Sequence, residues 1–351
     1  MKTFAALEKD IYNIICASAR DVMKYVLEEF DKIILKDRDR LEYCVMGRKK
    51  TTVKTLFGEV EYSRRYYRNR ETGRIEYLLD KRLKMNTLGL YSETLAQLIV
   101  KMATQTSFRR AAEAVSTMTG QTISHGGVWQ IVQAVGERAD REEKMCVKAM
   151  KQDMLDGKEE TPVLFEEMDG VYLSVQGKDR KRMHRKKAEL KVSIAHKGWV
   201  RDGKKLKLAG KVMTAGFHPV RDFHERREAE IRRQYDVDHV QVRILNSDGA
   251  TWIRNTYERD IHYQLDRFHI EQEITRCIAN KKIRYTVRKL LREGQIEKCL
   301  EHIRIYADSQ TNEKDAETAM RLYTYLSGNR DGLIPYRKRG LKLPPLPDGM
   351  I

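Results

Sequence analysis

The 351-residue chain has no apolar run longer than a few residues, far short of the ~20 that a membrane-spanning helix needs. Its first residues, Met1-Lys2-Thr3-Phe4, lack the apolar stretch of a secretory signal. A cytoplasmic protein with no membrane role is therefore expected. Cysteine is scarce: Cys16, Cys44, Cys146, Cys277 and Cys299 are odd in number and scattered, with no Cys-x-x-Cys pair. That argues against a disulfide framework and a zinc ribbon, and leaves reduced cysteines that pack. Acid is the minority charge, 51 Asp and Glu against 68 Lys and Arg, which gives a formal +17. A surplus of this size favours a polyanion such as nucleic acid. A membrane surface would need a basic amphipathic helix with large apolar anchors, whereas the basic clusters here fall in strand-like and loop-like segments.

Apolar residues make up 41% of the chain, enough to bury two or three cores. Phe4, Leu7, Ile11, Ile14, Ile15, Val22, Val26, Phe30, Ile33 and Ile34 recur at three- and four-residue spacings and predict an amphipathic helix over 4–35 whose stripe packs. From Thr51 the period changes to two. Gly58 separates two strand-like runs, and the second interleaves Arg64, Arg65 and Arg68 with Tyr66 and Tyr67. Such a face suits a phosphate backbone, and equally suits a solvated sheet. Residues 90–139 read as helical. Within them a helix over 107–120 carries Arg109 and Arg110 and ends at Gly120, and Ser124 caps a second helix bearing His125 and Trp129. This is a helix-turn-helix arrangement, whose second helix can enter a major groove.

Residues 152–161 read as a linker, and a second core starts at Pro162. The run from Val163 to Val175 delivers Asp169 into an Asp-Gly pair, the signature of a β-hairpin with a carboxylate at its rim. A cationic cluster follows at Lys178, Arg180, Lys181, Arg182, Arg185, Lys186 and Lys187, expected between two strands as a positive tip for phosphates. A third strand over 188–200, an extension over 206–214 and a charged helix over 220–235 come next. Asp248-Gly249 then closes the apolar run that starts at Val242. Residues 250–258 suit a helix, 262–266 a strand, and 271–327 helices. Two aspartates ending runs within one sheet can share two divalent cations, and carboxylate donors select Mg²⁺ or Mn²⁺. Asp266 and His269 stand three apart and face the same site if a helix begins at Asp266; the alternative is an N-cap aspartate and a structural histidine.

Asp169-Gly170, Asn246-Ser-Asp248-Gly249, Leu265-Asp266-Arg-Phe-His269 and Gly58-Glu-Val-Glu-Tyr-Ser-Arg64-Arg65-Tyr66-Tyr67 together resemble the Lre-type bacterial insertion-sequence transposases. These are relatives of the Mutator-like transposases with a DDE site on a ribonuclease-H-like fold, and the resemblance covers essentially the whole chain. It implies a mixed α+β and α/β protein. Its parts would be an N-terminal helix and basic β-hairpin region (1–85), a helix-turn-helix-like region (86–150), a ribonuclease-H-like catalytic core (157–270), a helical insertion (271–334) and the start of a closing core segment (335–351). It also implies Asp169 and Asp248 as the first two catalytic positions, Asp266 and His269 as an Asp-x-x-His element, and Mg²⁺ or Mn²⁺ as cofactor. Double-stranded DNA, both element ends and target, would be the partner, bound by a homo-oligomer. Members of the family continue into a helix carrying a catalytic Glu. The chain stops before it, and Glu271, Glu273 and Glu301 fall in the presumed insertion. The expected function is a transposase whose strand cleavage and transfer are crippled by the missing carboxylate. A DNA-binding remnant without catalysis, or a nuclease of the ribonuclease-H superfamily, are the alternatives.

Overall fold

The computed structural model describes residues 3–85, 89–177, 180–181, 186–254, 261–341 and 343–344. The chain divides into two compact units, Met1–Arg141 and Glu142–Ile351.

In the first unit helix α1 (Phe4–Asp37) starts at Thr3, whose side chain caps Ala6 N–H. Strands β1 (Tyr43–Thr55) and β2 (Gly58–Asn69) form a long antiparallel hairpin, joined at its far end by β3 (Ile75–Glu76). A short helix, α2 (Leu78–Arg82), follows. Leu27 of α1 packs with Val53, Val60, Tyr62 and Leu79. The apolar stripe of α1 departs from expectation. Cys16, Leu27 and Asp31 are the buried residues of this helix, while Phe4, Leu7, Ile11, Ile14, Ile15 and Val22 are exposed. The helix thus packs with the side opposite its apolar stripe.

Helices α3 (Glu93–Gln105), α4 (Phe108–Thr119) and α5 (His125–Lys151) follow, with Ser92 and Ser107 as N-caps of the first two. Gly120 ends α4 in the left-handed region at φ 66°, where glycine carries no Cβ penalty. Ser124 Oγ then accepts from Gly127 N–H at 3.0 Å to start α5. Leu95, Ile99, Ala111, Val115, Ile123, Val128 and Ile131 form the core of this three-helix arrangement.

The second unit is built on a five-stranded sheet. Strands β4 (Val163–Ser174), β5 (Lys187–His196) and β8 (Val212–Gly216) are antiparallel neighbours. On the other side of β4 lie β9 (Val242–Ser247) and β10 (Ile261–Leu265), both parallel to it, so the order is β10-β9-β4-β5-β8. A separate small hairpin, β6 (Trp199–Asp202) and β7 (Lys205–Leu208), leaves the main sheet. Helix α6 (Val220–Gln234) covers one face, with Phe223 among Met168 and Leu245, and Ile231 among Leu164 and Ala195. Val163, Phe165 and Ile244 line the other face. Apolar side chains are wanted on both faces, which is why β4 opens as an unbroken apolar run.

The Asp-Gly pair is not a turn. β4 continues through it, with Asp169 opposite Val192 and Gly170 opposite Lys191. A Cβ on Gly170 would stand 2.4 Å from Glu189 Oε1, so the glycine serves a close approach rather than a reversal. Accordingly β5 is the second strand of the sheet, not the third. The chain reverses between Ser174 and Lys187, in the cationic cluster. There Arg180, Lys181, Lys186 and Lys187 are exposed, while Arg182 and Arg185 lie outside the described residues.

After β9 comes α7 (Thr251–Arg254), and after β10 come α8 (Arg267–Cys277), α9 (Lys281–Arg292), α10 (Ile296–Asp308), α11 (Glu313–Gly328) and α12 (Arg330–Leu333). Leu265, Ile270, Ile274, Val287, Cys299, Ile303, Leu322 and Leu326 share one core, which docks this helical layer on the edge strand. All five cysteines are free, four of them buried. Among the described residues no helix is long and apolar enough to cross a membrane.

Candidate metal centre

The last pair in the parallel ladder between β4 and β9 is Met168 with Ser247. Asp169 and Asp248 are the next residues on each side: Asp248 follows the end of β9, and Asp169 stays within β4, on a neighbouring backbone about 5 Å away. Asp248 enters a turn at Gly249 (φ 86°), and its Oδ1 accepts from Ala250 N–H at 2.9 Å. Its carbonyl accepts from Tyr325 Oη at 2.8 Å, and a Cβ on Gly249 would meet Asn329 Oδ1 at 2.7 Å. The α11 end therefore clamps this strand end, and only glycine fits beneath it. Asp169 Oδ1 accepts from Gly170 N–H at 2.7 Å.

The neighbouring strand supplies the other two groups. Asp266 N–H donates to Ser247 O at 2.8 Å, which carries Asp266 to the same strand ends. Asp266 is the N-cap of α8 and its Oδ2 meets His269 Nδ1 at 2.9 Å, one turn into the helix. Both readings of this pair hold together: the aspartate caps the helix and also orients the ring, leaving Nε2 for another partner. Asp169, Asp248, Asp266 and His269 all line one cleft of about 310 Å³, with Asn246 and Ser247 at its back.

Negative charge is crowded at Asp248. Burial pushes the Asp248 carboxyl up from its usual 3.8, the Ala250 N–H opposes this, and the charge of Asp169 pushes it up again, with a smaller contribution from Glu189. A half-buried carboxylate raised by burial and by a neighbouring negative charge would be relieved by a divalent ion. Hard oxygen donors fit Mg²⁺ or Mn²⁺, and the residues to hold it would be Asp169 and Asp248, with Asp266 and His269 beside them. Glu189 escaped the sequence reading. It sits on β5, its Oε1 accepts from Trp252 Nε1–H at 3.0 Å, and nothing in its local pattern separates it from any other strand glutamate.

Beneath the cleft a buried ion network fixes the strands. Arg243 of β9 donates from Nε to Glu166 of β4 at 2.6 Å and from Nη2 to Glu228 of α6 at 2.9 Å, and Arg227 reaches Glu166 at 2.9 Å. Burial pushes the Glu228 carboxyl up, but Arg243, Arg227 and Arg232 outweigh it and hold the group down at about 2. These pairs join the two strands that carry Asp169 and Asp248 to the covering helix.

Several residues expected to contact DNA are occupied otherwise. Arg65 is buried and pairs with Asp31 of α1 at 2.5 Å, and Arg64 pairs with Asp80 while lying 4.1 Å over the Tyr77 ring. They anchor α1 and α2 to the hairpin instead of facing outward. Tyr66 is half-buried, and its Oη would lie 2.9 Å from a Cβ at Gly47. Arg109, Arg110, His125 and Trp129 are exposed, at the starts of α4 and α5. Ser124 is exposed too and caps α5.

The model of an uncharacterised protein family, UPF0236, matches residues 2–343. The chain belongs to the UPF0236 family. A UPF0236 protein from the vanSb 3′ region of Streptococcus gallolyticus is 26% identical over 364 residues, 97% of this chain and 74% of that relative. Two UPF0236 proteins of Caldanaerobacter subterraneus subsp. tengcongensis are 24% and 23% identical, each over 90% of this chain. The chain spans 64% and 65% of the length of those two UPF0236 proteins, less than two thirds.

Proposed function

We propose that the chain is a transposase-type DNA-processing protein with a ribonuclease-H-like core and a divalent-metal centre at Asp169 and Asp248. The observation that carries this reading is the convergence of Asp169, Asp248, Asp266 and His269 on one cleft, where β9 and β10 end beside the middle of β4. The strand order supports the core: three antiparallel strands, a covering helix, then two strands parallel to the first. A bound metal would polarise a phosphodiester and activate a hydroxyl or water. Asp169 and Asp248 would hold the cation, and Asp266, bonded to His269 Nδ1, would position that ring beside it. Beside the cleft, Phe165, His196, Trp199 and Tyr336 line a cavity of about 350 Å³ that shares Glu167, Asn246 and Asp266 with it. Ring faces there suit an unpaired base of a nucleic-acid strand. The name of one Caldanaerobacter relative joins eleven locus labels. Such multiplicity for that protein is what a mobile element produces.

The test is a Mn²⁺ titration of the full chain followed by the electron paramagnetic resonance of free Mn²⁺. The wild type should take up Mn²⁺, and the Asp169→Asn, Asp248→Asn double variant should lose at least ~10-fold in affinity, in line with the value of ligand shells. Equal uptake by both proteins would remove the metal centre and this reading with it.

A second reading is a DNA-binding protein without catalysis, favoured by the helix-turn-helix geometry of α4 and α5 independently of the cleft. Either reading needs the exposed groups on these helices. Arg109→Ala with Arg110→Ala should weaken duplex binding roughly 10-fold and lower the salt slope by up to ~2, one for each phosphate no longer neutralised. Unchanged salt dependence would show that these arginines touch no phosphate.

A further inference from the structure

The outward face of α1 points to self-association. A helix buries its apolar stripe against its own core, yet α1 does the reverse. At 100° per residue Phe4, Leu7, Ile11, Ile15, Val22 and Ile33 fall within an arc of about 120°. The buried Cys16, Leu27 and Asp31 stand on the opposite side. Phe4 is 81% exposed and Val22 61%, against 5% for Leu27. The stripe recurs at steps of three and four from Phe4 to Ile15 and continues through Val22, Tyr25 and Ile33, with Ser18 and Glu29 between them.

Charge narrows the occupant. α1 holds five Lys and Arg against seven Asp and Glu, a formal −2 within a chain of +17. Nucleic acid and anionic lipid both want basic helices, and α1 as a whole is not one. A protein surface remains. Nine exposed large apolar side chains of α1 lie within this arc, with Ile14, Tyr25 and Val26 beside the six named, each offering on the order of 100 Å². Together they match the roughly 800 Å² per partner of a standard interface and exceed the largest apolar patch of an ordinary monomer. A long stripe that is apolar apart from Ser18, Glu29 and Lys36 is complementary to another of the same kind, which a two-fold axis supplies from a second copy.

We propose that α1 pairs with α1 of a second copy of this chain through this stripe. The pairing stands apart from the metal centre and survives its failure. The experiment is sedimentation equilibrium of the full chain and of an Ile15→Lys, Val22→Lys variant. Both positions face outward, so neither lysine is buried in the monomer, and helical circular dichroism checks that each protein is folded. The wild type should be dimeric at ~10 µM and the variant at least ~100-fold weaker in association. Should the double variant lose its helical signal, Leu7→Lys near the helix end takes its place, with a weaker dimer again expected. A folded wild type that is monomeric at ~50 µM, or a folded variant that dimerises as tightly as the wild type, overturns the proposal.

Discussion

Replacing Arg243 with Ala is expected to cost the 142–351 unit roughly 3–5 kcal/mol, because it removes the guanidinium shared by two buried carboxylates and leaves Glu166 to Arg227 and Glu228 to Arg227 and Arg232. Glu166 has no exposed side-chain surface and Glu228 very little, and Arg243 is the group that bonds to both. At about 2–4 °C per kcal/mol for a unit of this size, the melting temperature should fall by about 6–20 °C. Urea unfolding followed by Trp fluorescence reads the change directly. A loss below ~1 kcal/mol would mean that water reaches the network after all. The same substitution has a pH signature. The Glu228 carboxyl sits at about 2 in the fold against an ordinary 4.5, so its contribution is complete above 4.5 and disappears as the pH falls toward 2. Without Arg243 the carboxyl rises, and acid unfolding should begin at higher pH than in the wild type.

Asp248 works in the opposite sense, and a cation exposes it. Its carboxyl is raised above 3.8 in the fold, by burial first. The folded state therefore holds a proton that the unfolded chain gives up, and stability declines as the pH climbs through that window. Asp248→Asn removes this penalty and should leave the metal-free protein at least as stable as the wild type at neutral pH. Mn²⁺ reverses the comparison. At 100 times its dissociation constant it should add about 2.7 kcal/mol to the wild type, or about 5–10 °C for a unit of this size, and nothing to Asp248→Asn. Proton and metal compete for the same oxygens, so the wild-type shift should shrink on acidification sooner than an ordinary aspartate would require. A Mn²⁺ shift of equal size in both proteins, read by scanning calorimetry, would place the cation elsewhere.

What could be read in advance follows from how local its causes are. That Asp169 and Asp248 lie on neighbouring strands was legible because both follow apolar runs, and such runs become paired strands; that β4 runs on past Asp169 was not. The α8 start was legible too, since Asp266 caps the helix and the three-residue step to His269 puts both on one face. Gly120 and Ser124 marked the turn between α4 and α5 by the same local chemistry. The failures are all non-local. Asp-Gly is a turn unless something across the sheet needs the glycine's space, and that something is Glu189, 19 residues on. Arg64 and Arg65 look free beside tyrosines, and their partners Asp80 and Asp31 come from helices on either side in sequence. A helical stripe says which side is apolar, while the choice of side that packs belongs to tertiary structure.

The clamp on Asp248 bears on the order in which the molecule assembles. Its carbonyl is held by Tyr325, 77 residues further along, and its Gly249 by Asn329 beyond that. Strands β4 and β9 can align as soon as their own apolar residues meet, but the turn bearing the carboxylate is completed only when the last long helix has docked. Loop closure over such a separation is slow relative to the hairpins of the sheet. A chain still emerging, or one nicked within 313–328, would therefore hold both aspartates and yet have no finished place to put a cation. The helical layer is what completes the turn at Asp248.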